Sequence, residues 1–109
     1  MPRHSKAIQD LSVQGLSDIE RLGQYIKEAI TCRETLQEFA SRTQMGRDTL
    51  RKVIKGDPNL PIGFYAIAIE TLGFDQRLSE VAAPEKDSIG QGIRLNRFGR
   101  DKNILPSDF

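Results

Sequence analysis

Tryptophan is missing from this 109-residue sequence, and cysteine and histidine each occur once. The single Cys32 excludes an intramolecular disulfide, which is typical of proteins from a reducing cytoplasm. With one histidine, no cluster of residues at metal-ligand spacing and no glycine-rich phosphate loop, the sequence offers no catalytic constellation. We therefore expect neither an enzyme nor a bound cofactor or metal.

Long apolar runs are also missing. No stretch approaches the roughly 18 apolar residues of a membrane-spanning helix, and no signal peptide is recognisable. The sequence therefore predicts a cytoplasmic protein without a membrane association. Charged residues, by contrast, make up 28% of the chain, and this composition favours a small helical protein.

The charges are unevenly distributed, although the formal net charge is only +1. Residues 41–56 carry five basic groups against one acidic group, whereas residues 57–84 carry one basic group against four acidic groups. A local basic stripe is the expected footprint of a nucleic-acid surface, even in a nearly neutral protein. The acidic stretch that follows is suited to facing a protein partner.

Residues 35–56 read as two short helices separated by a tight break. Thr35 and Glu38 have the spacing of a capping box, which begins a first helix at residues 36–44. The second helix is predicted at residues 47–55, and Gly56 is placed to end it.

The residues between these helices predict how they pack. Ala40 is small enough for a close helix crossing, while Met45 and Leu50 are placed to fill the angle between the helices. This is the helix-turn-helix pattern. It leaves the charged residues of the second helix on the outer face: Arg47, Asp48, Arg51, Lys52 and Lys55. Such a face suits a DNA major groove, and the alternative is an ordinary helical hairpin with a solvated charged surface.

Three further helices are predicted around this pair. Ser17 and Glu20 form a second capping-box pattern at the start of the first helix, in which Gly23 indicates close packing against another helix. A strongly apolar fourth helix is expected at residues 62–72, and a short fifth helix at residues 76–81, capped by Asp75. The compact domain is thus predicted at residues 17–83, and its small core favours a dimer.

The two ends have weaker patterns. Residues 1–16 are predicted to be a flexible arm, the alternative being a weak amphipathic segment. Residues 84–109 are predicted to be a flexible tail with at most one helical turn at residues 87–95. Because this tail carries several apolar groups, it is either disordered or a segment that orders on a partner.

The sequence FASRTQMGRDTLRKVIKGDP at residues 39–58, followed by an apolar helix and LGF, resembles the lambda-repressor-like (XRE-type) helix-turn-helix family. The resemblance covers about residues 22–78. The runs KGDP, GFY and DQRL look most like HipB-type antitoxins, which are autorepressing partners of HipA-like Ser/Thr kinase toxins. The resemblance implies an all-α, five-helix domain that binds double-stranded operator DNA as a homodimer and also binds such a toxin.

The resemblance also implies positions that contact DNA. The family's contacts at the two helix starts and on the next exposed turn fall on Thr35, Leu36, Gln37, Arg47, Asp48, Thr49, Arg51 and Lys52. Among them, Arg47 and Lys52 are expected to read guanine, and Asp48 either accepts from cytosine or orients neighbouring arginines. Backbone phosphates are expected at Arg42, Thr49 and Lys55.

Two positions depart from the family pattern. Leu36 stands where the family usually has glutamine, so that it is suited to a thymine methyl contact instead. Gln44 stands where the family usually has glycine in the turn.

Two alternatives to an operator-binding antitoxin stay open: a protein-binding module that neutralises or scaffolds a kinase toxin, with DNA binding incidental, and a phage-type repressor without a toxin.

Overall fold

The computed structural model describes residues 10–98, and every regular element in this range is helical. The predicted all-α class is therefore confirmed. The α-helices between residues 13 and 98 are α1 (Val13–Thr31), α2 (Leu36–Thr43), α3 (Arg47–Lys55), α4 (Ile62–Leu72) and α5 (Ser88–Phe98). Two 3-10 helices, η1 (Leu78–Ala82) and η2 (Pro84–Lys86), follow α4 and precede α5 along the chain. The chain divides into two compact units, residues 1–75 and residues 76–109.

The first helix begins earlier than the sequence predicts. The hydroxyl of Ser12 accepts a hydrogen bond from the backbone N–H of Gly15 at 3.0 Å, which makes Ser12 the N-cap in place of Ser17. Ser17 lies inside α1. The predicted arm was therefore wrong for residues 13–16, and its residues 1–9 lie outside the part of the chain that the structure describes.

Four helices enclose the core of the first unit. Phe39, Ile30 and Val53 are fully buried, and complete burial of one such side chain is worth about 1.5–3 kcal/mol. The remaining buried apolar residues are Ile26, Ala40, Met45, Leu50, Tyr65, Ala68 and Leu72. Ala40, Met45 and Leu50 are thus buried as their spacing predicts. α1 makes its most extensive helix contacts with α3, so the long helix is the support on which α3 rests.

The turn after α3 is fixed by hydrogen bonds to Asp57. Its carboxylate accepts from the backbone of Asn59 at 2.8 Å, and its carbonyl accepts from the hydroxyl of Tyr65 at 2.7 Å. Burial raises the pKa of Tyr65 to about 12, and the neighbouring charge of Asp57 adds to this. A buried side chain of α4 therefore holds the end of α3.

The second unit departs from the predicted helix at residues 76–81. That segment instead contains η1, which begins after Arg77. Ala83 precedes a proline and is extended, at φ −59° and ψ 135°, so the helix ends at Ala82. Its last bond runs from the N–H of Ala83 to the carbonyl of Glu80, three residues earlier.

The predicted flexible tail was wrong for residues 88–98, which form α5. The carboxylate of Asp87 accepts from the backbone N–H of Gly90 at 2.8 Å, so an N-cap bond offsets the poor helix propensity of the two glycines. Residues 99–109 lie outside the described range. None of the helices between residues 10 and 98 is long and apolar enough to cross a membrane.

Candidate nucleic-acid interface

The start of α2 is built as the sequence predicts. The hydroxyl of Thr35 accepts from the backbone N–H of Glu38 at 3.1 Å, and the Glu38 carboxylate accepts from the backbone N–H of Thr35 at 2.9 Å. The capping box is therefore confirmed. Hydrogen bonds to the Glu38 carboxyl from the Thr35 backbone N–H and, to a lesser extent, from the Thr35 side chain lower the pKa of this carboxyl. They fix the residue at which the α2–α3 pair begins.

A left-handed residue makes the turn between α2 and α3. Gln44 has φ 58° and ψ 26°, and it is the non-glycine residue with positive φ in the described chain. The N–H of the next residue, Met45, donates to the carbonyl of Ala40 at 3.0 Å. This conformation carries Met45 into the core and leaves Gly46 to start α3 in an extended conformation, at ψ 156°.

α3 has one buried side and one charged side. Leu50 and Val53 face the core, with 4% and 0% exposure. The charged side chains at the remaining positions are all exposed: Arg47, Asp48, Arg51, Lys52 and Lys55. Four of these five groups are cationic, so the exposed face of α3 is strongly positive. The outward orientation predicted for this face agrees with the structure.

One acidic group lies within the basic face. The carboxylate of Asp48 is 3.6 Å from the guanidinium of Arg51, and both side chains are well exposed, at 89% and 63%. An exposed pair at this spacing is worth only about 0–1 kcal/mol. The contact orients Arg51. Because it is weak, a more strongly charged anion can displace the Asp48 carboxylate from the Arg51 guanidinium.

Arg42 is held differently from the cations of α3. Its guanidinium donates to both carboxylate oxygens of Glu34, with 3.4 Å between Nε and Oε1, and it lies 5.6 Å from the centre of the Phe39 ring. This hydrogen bonding to Glu34 raises the pKa of Arg42. Since the side chain of Glu34 is only 16% exposed, the pair is anchored. Arg42 therefore adds less positive potential to this surface than α3 does.

Side chains of α2 and α3 line a groove of about 190 Å³ between the two helices. We call it the α2–α3 groove. Its apolar lining comes from Leu36, Ala40, Leu50 and Ile54, and its polar lining from Gln37, Arg47 and Arg51. The structure thus brings together four of the predicted DNA-contacting residues: Leu36, Gln37, Arg47 and Arg51.

The other predicted contacts lie outside this groove. Thr35 is exposed at the start of α2, and Thr49 is half-buried in the first turn of α3. Asp48, Lys52 and Lys55 do not line the groove, although all three are exposed on α3.

Two features of the surface were missed by the sequence analysis. They are the pairing of Glu34 with Arg42 and the position of Ile54 in the lining of the groove. Glu34 precedes α2 and lies eight residues from Arg42, beyond the i+3 and i+4 spacings of side-chain pairs on a helix, so their pairing has no sequence signal. Ile54 lies at the edge of the core, where the side chain is half-buried and also lines the groove.

No protein-family model, curated protein or solved structure matches the chain. Within residues 10–98, no group of three or more His, Cys, Asp or Glu side chains is arranged to hold a metal ion. The functional assignment therefore depends on the geometry and charge of this surface together with the sequence resemblance.

Proposed function

We propose that this protein is a sequence-specific DNA-binding repressor with a lambda-repressor-like helix-turn-helix domain, acting as a HipB-like antitoxin. The observation that carries the proposal is the exposed basic face of α3, which is held outward by the buried residues Ala40, Met45 and Leu50. An α-helix with its side chains is about 10–12 Å across, so the nine-residue α3 fits a major groove about 12 Å wide.

In the proposed complex, the exposed cations of α3 read base edges. Arg47, the first residue of the helix, and Lys52 would each recognise guanine through its O6 and N7 acceptors. Asp48 either accepts from cytosine or orients Arg51, and its 3.6 Å contact with Arg51 supports the second role.

The remaining contacts position the protein on the DNA backbone. Thr35 and Gln37 lie at the start of α2, where a helix N-terminus favours a phosphate. Thr49 and Lys55 would reach phosphates beside α3. Each neutralised phosphate adds to the salt dependence of binding, so operator affinity should fall steeply as salt increases.

Two copies of the chain would bind one operator. A two-fold dimer with recognition helices about 34–36 Å apart reads a palindrome with half-sites one helical turn apart. The first unit exposes large apolar side chains on and after α4, which suit a contact with a second copy: Ile62 at 67%, Ile67 at 42% and Phe74 at 48% exposure.

Selection from a pool of randomised DNA duplexes tests the DNA-binding proposal. The full chain should enrich palindromic sites with one-turn spacing, and the double variant Arg47→Ala, Lys52→Ala should enrich none. Gln24→Ala is the matched control, because Gln24 is an exposed neutral residue of α1 outside the proposed interface. Failure of the wild-type chain to enrich any sequence would overturn the proposal.

The antitoxin role requires a protein partner, and a specific observation favours a second binding surface. In the second unit, α5 exposes Ile89 at 77% and Leu95 at 73%, which is unusual for a helix surrounded by water. The partner proposed from the sequence resemblance is a HipA-like kinase toxin. Residues 57–84 carry net negative charge, which suits a basic partner.

Co-expression with the product of the adjacent open reading frame separates the alternatives. Copurification of both proteins, together with operator binding, supports the antitoxin role. Copurification without operator binding indicates a module that only scaffolds or neutralises the toxin. Operator binding without copurification indicates a repressor that lacks a toxin partner.

A further inference from the structure

The α2–α3 groove combines an apolar lining with a cationic rim. Leu36, Ala40, Leu50 and Ile54 supply the apolar surface, and Leu36 and Ile54 are only half-buried. Arg47 and Arg51 line the same groove. A small apolar group within a strongly anionic molecule would complement both parts of this lining.

The major groove of DNA offers such a group. The C5 methyl of thymine is the apolar feature of its base edges, and it is surrounded by phosphates and by hydrogen-bond acceptors that suit arginine. A volume of about 190 Å³ is ample for a methyl group and the adjoining C5–C6 edge of the pyrimidine. The two arginines match the anionic backbone and the acceptors of a neighbouring guanine.

We infer that the α2–α3 groove receives the C5 methyl group of a pyrimidine in the operator, with Leu36 as the residue that determines this specificity. The inference rests on the proposed DNA-binding function and names the base feature that the groove reads. Because Leu36 and Arg47 line one small groove, this pyrimidine lies at or next to the base pair that Arg47 contacts. The same surface accepts 5-methylcytosine, since its methyl group occupies the same position as that of thymine.

The test compares duplexes that differ by single methyl groups. An operator selected with the wild-type chain is first mapped to find the base pair at which Arg47→Ala relaxes specificity. Thymines at and beside that position are then replaced by uracil in each half-site. Wild-type affinity should fall about fourfold per half-site, the factor that corresponds to about 0.8 kcal/mol for one buried methylene-sized group. A separate pair of duplexes carries cytosine or 5-methylcytosine there, and the methylated duplex should bind more tightly by a similar factor.

Variants of Leu36 assign the effect to the groove. In Leu36→Gln the ratio of thymine to uracil affinity should fall to about one, whereas Leu36→Met, which keeps an apolar side chain of similar volume, should retain it. Gln24→Ala serves as the control outside the interface. Because the wild-type comparison needs no variant, the inference stays testable even if Leu36→Gln fails to fold.

The outcomes separate this inference from the proposed function. Wild-type binding to an operator that is insensitive to the methyl groups overturns the inference and leaves the repressor proposal intact. A difference between thymine and uracil affinity that persists in Leu36→Gln also overturns the inference. The inference is likewise overturned if Leu36 variants lose only the capture of a protein partner and keep the wild-type DNA affinities. A wild-type chain that binds no duplex overturns both proposals.

Discussion

Gly23 of α1 and Gly56 at the end of α3 lie in direct backbone contact. A Cβ atom on Gly23 would come within 2.5 Å of the Gly56 nitrogen and 2.7 Å of the Val53 carbonyl oxygen. Both distances are too short for real atoms, so only glycine fits at position 23. The contact sets the position of α3, and hence of its basic face, relative to the long helix.

Gly23→Ala should therefore destabilise the protein although alanine has the higher helix propensity. The backbone on the opposite side has to move, and such overpacking typically costs about 1–3 kcal/mol. Urea denaturation measures the effect. Gly63→Ala is the matched control, because Gly63 lies in α4 with open space where the Cβ would be, and there the change should stabilise by about 0.5 kcal/mol. Equal effects at the two sites would contradict the close contact.

Gln44→Gly should stabilise the turn between α2 and α3. A non-glycine residue in the left-handed region is disfavoured by about 1–2 kcal/mol, part of which is offset by the greater freedom of glycine in the unfolded chain. We expect a net gain of up to about 1 kcal/mol in the free energy of unfolding. The identical change at exposed Gln24, in the right-handed α1, should instead destabilise by about 1 kcal/mol. A loss of stability at both positions would argue against a left-handed Gln44.

Tyr65 gives the stability a specific dependence on alkaline pH. Its pKa is raised to about 12 in the folded protein from an ordinary value near 10, because burial disfavours the phenolate. The stabilisation is complete below about pH 10, where both states are protonated. It is lost as the pH rises towards 12, because the unfolded chain releases the proton first.

Tyr65→Phe isolates this contribution from other groups that titrate in the same range. At neutral pH the variant should lose about 1–2 kcal/mol, because the carbonyl of Asp57 loses its hydrogen-bond donor. Between pH 10 and 12 its stability should fall less steeply than that of the wild type. Parallel pH profiles, measured by urea denaturation, would show that Tyr65 ionises as readily when folded as when unfolded.

The α2–α3 pair could be predicted from the sequence because its signals are local. The capping box joins Thr35 to Glu38 within one helical turn, and Gly56 ends α3 with φ 70°. The hydrophobic spacing then places Leu50 inside and the charged residues outside. Each of these features depends on neighbours within a few residues, so no knowledge of the tertiary structure is required.

The errors occurred where competing local signals were close in strength. Ser12 and Ser17 both have N-cap chemistry, but only Ser17 is followed by a glutamate at capping-box spacing, which favoured the later start. In the second unit, the expected α-helix is a 3-10 helix that ends at Ala82, because Pro84 keeps Ala83 extended. The α2–α3 groove was beyond reach for a different reason, since it arises only when residues 36 and 54 come together.

The effect of Arg47→Ala on base-pair specificity tests the central claim most directly. Affinity is measured by fluorescence anisotropy for the selected operator and for duplexes that carry each single base-pair change. If the exposed face of α3 reads the major groove, the variant should lose about 1–3 kcal/mol on the operator, with relaxed specificity at one base pair per half-site. An equal loss on every sequence, or no loss on any, would contradict the claim that Arg47 reads a base.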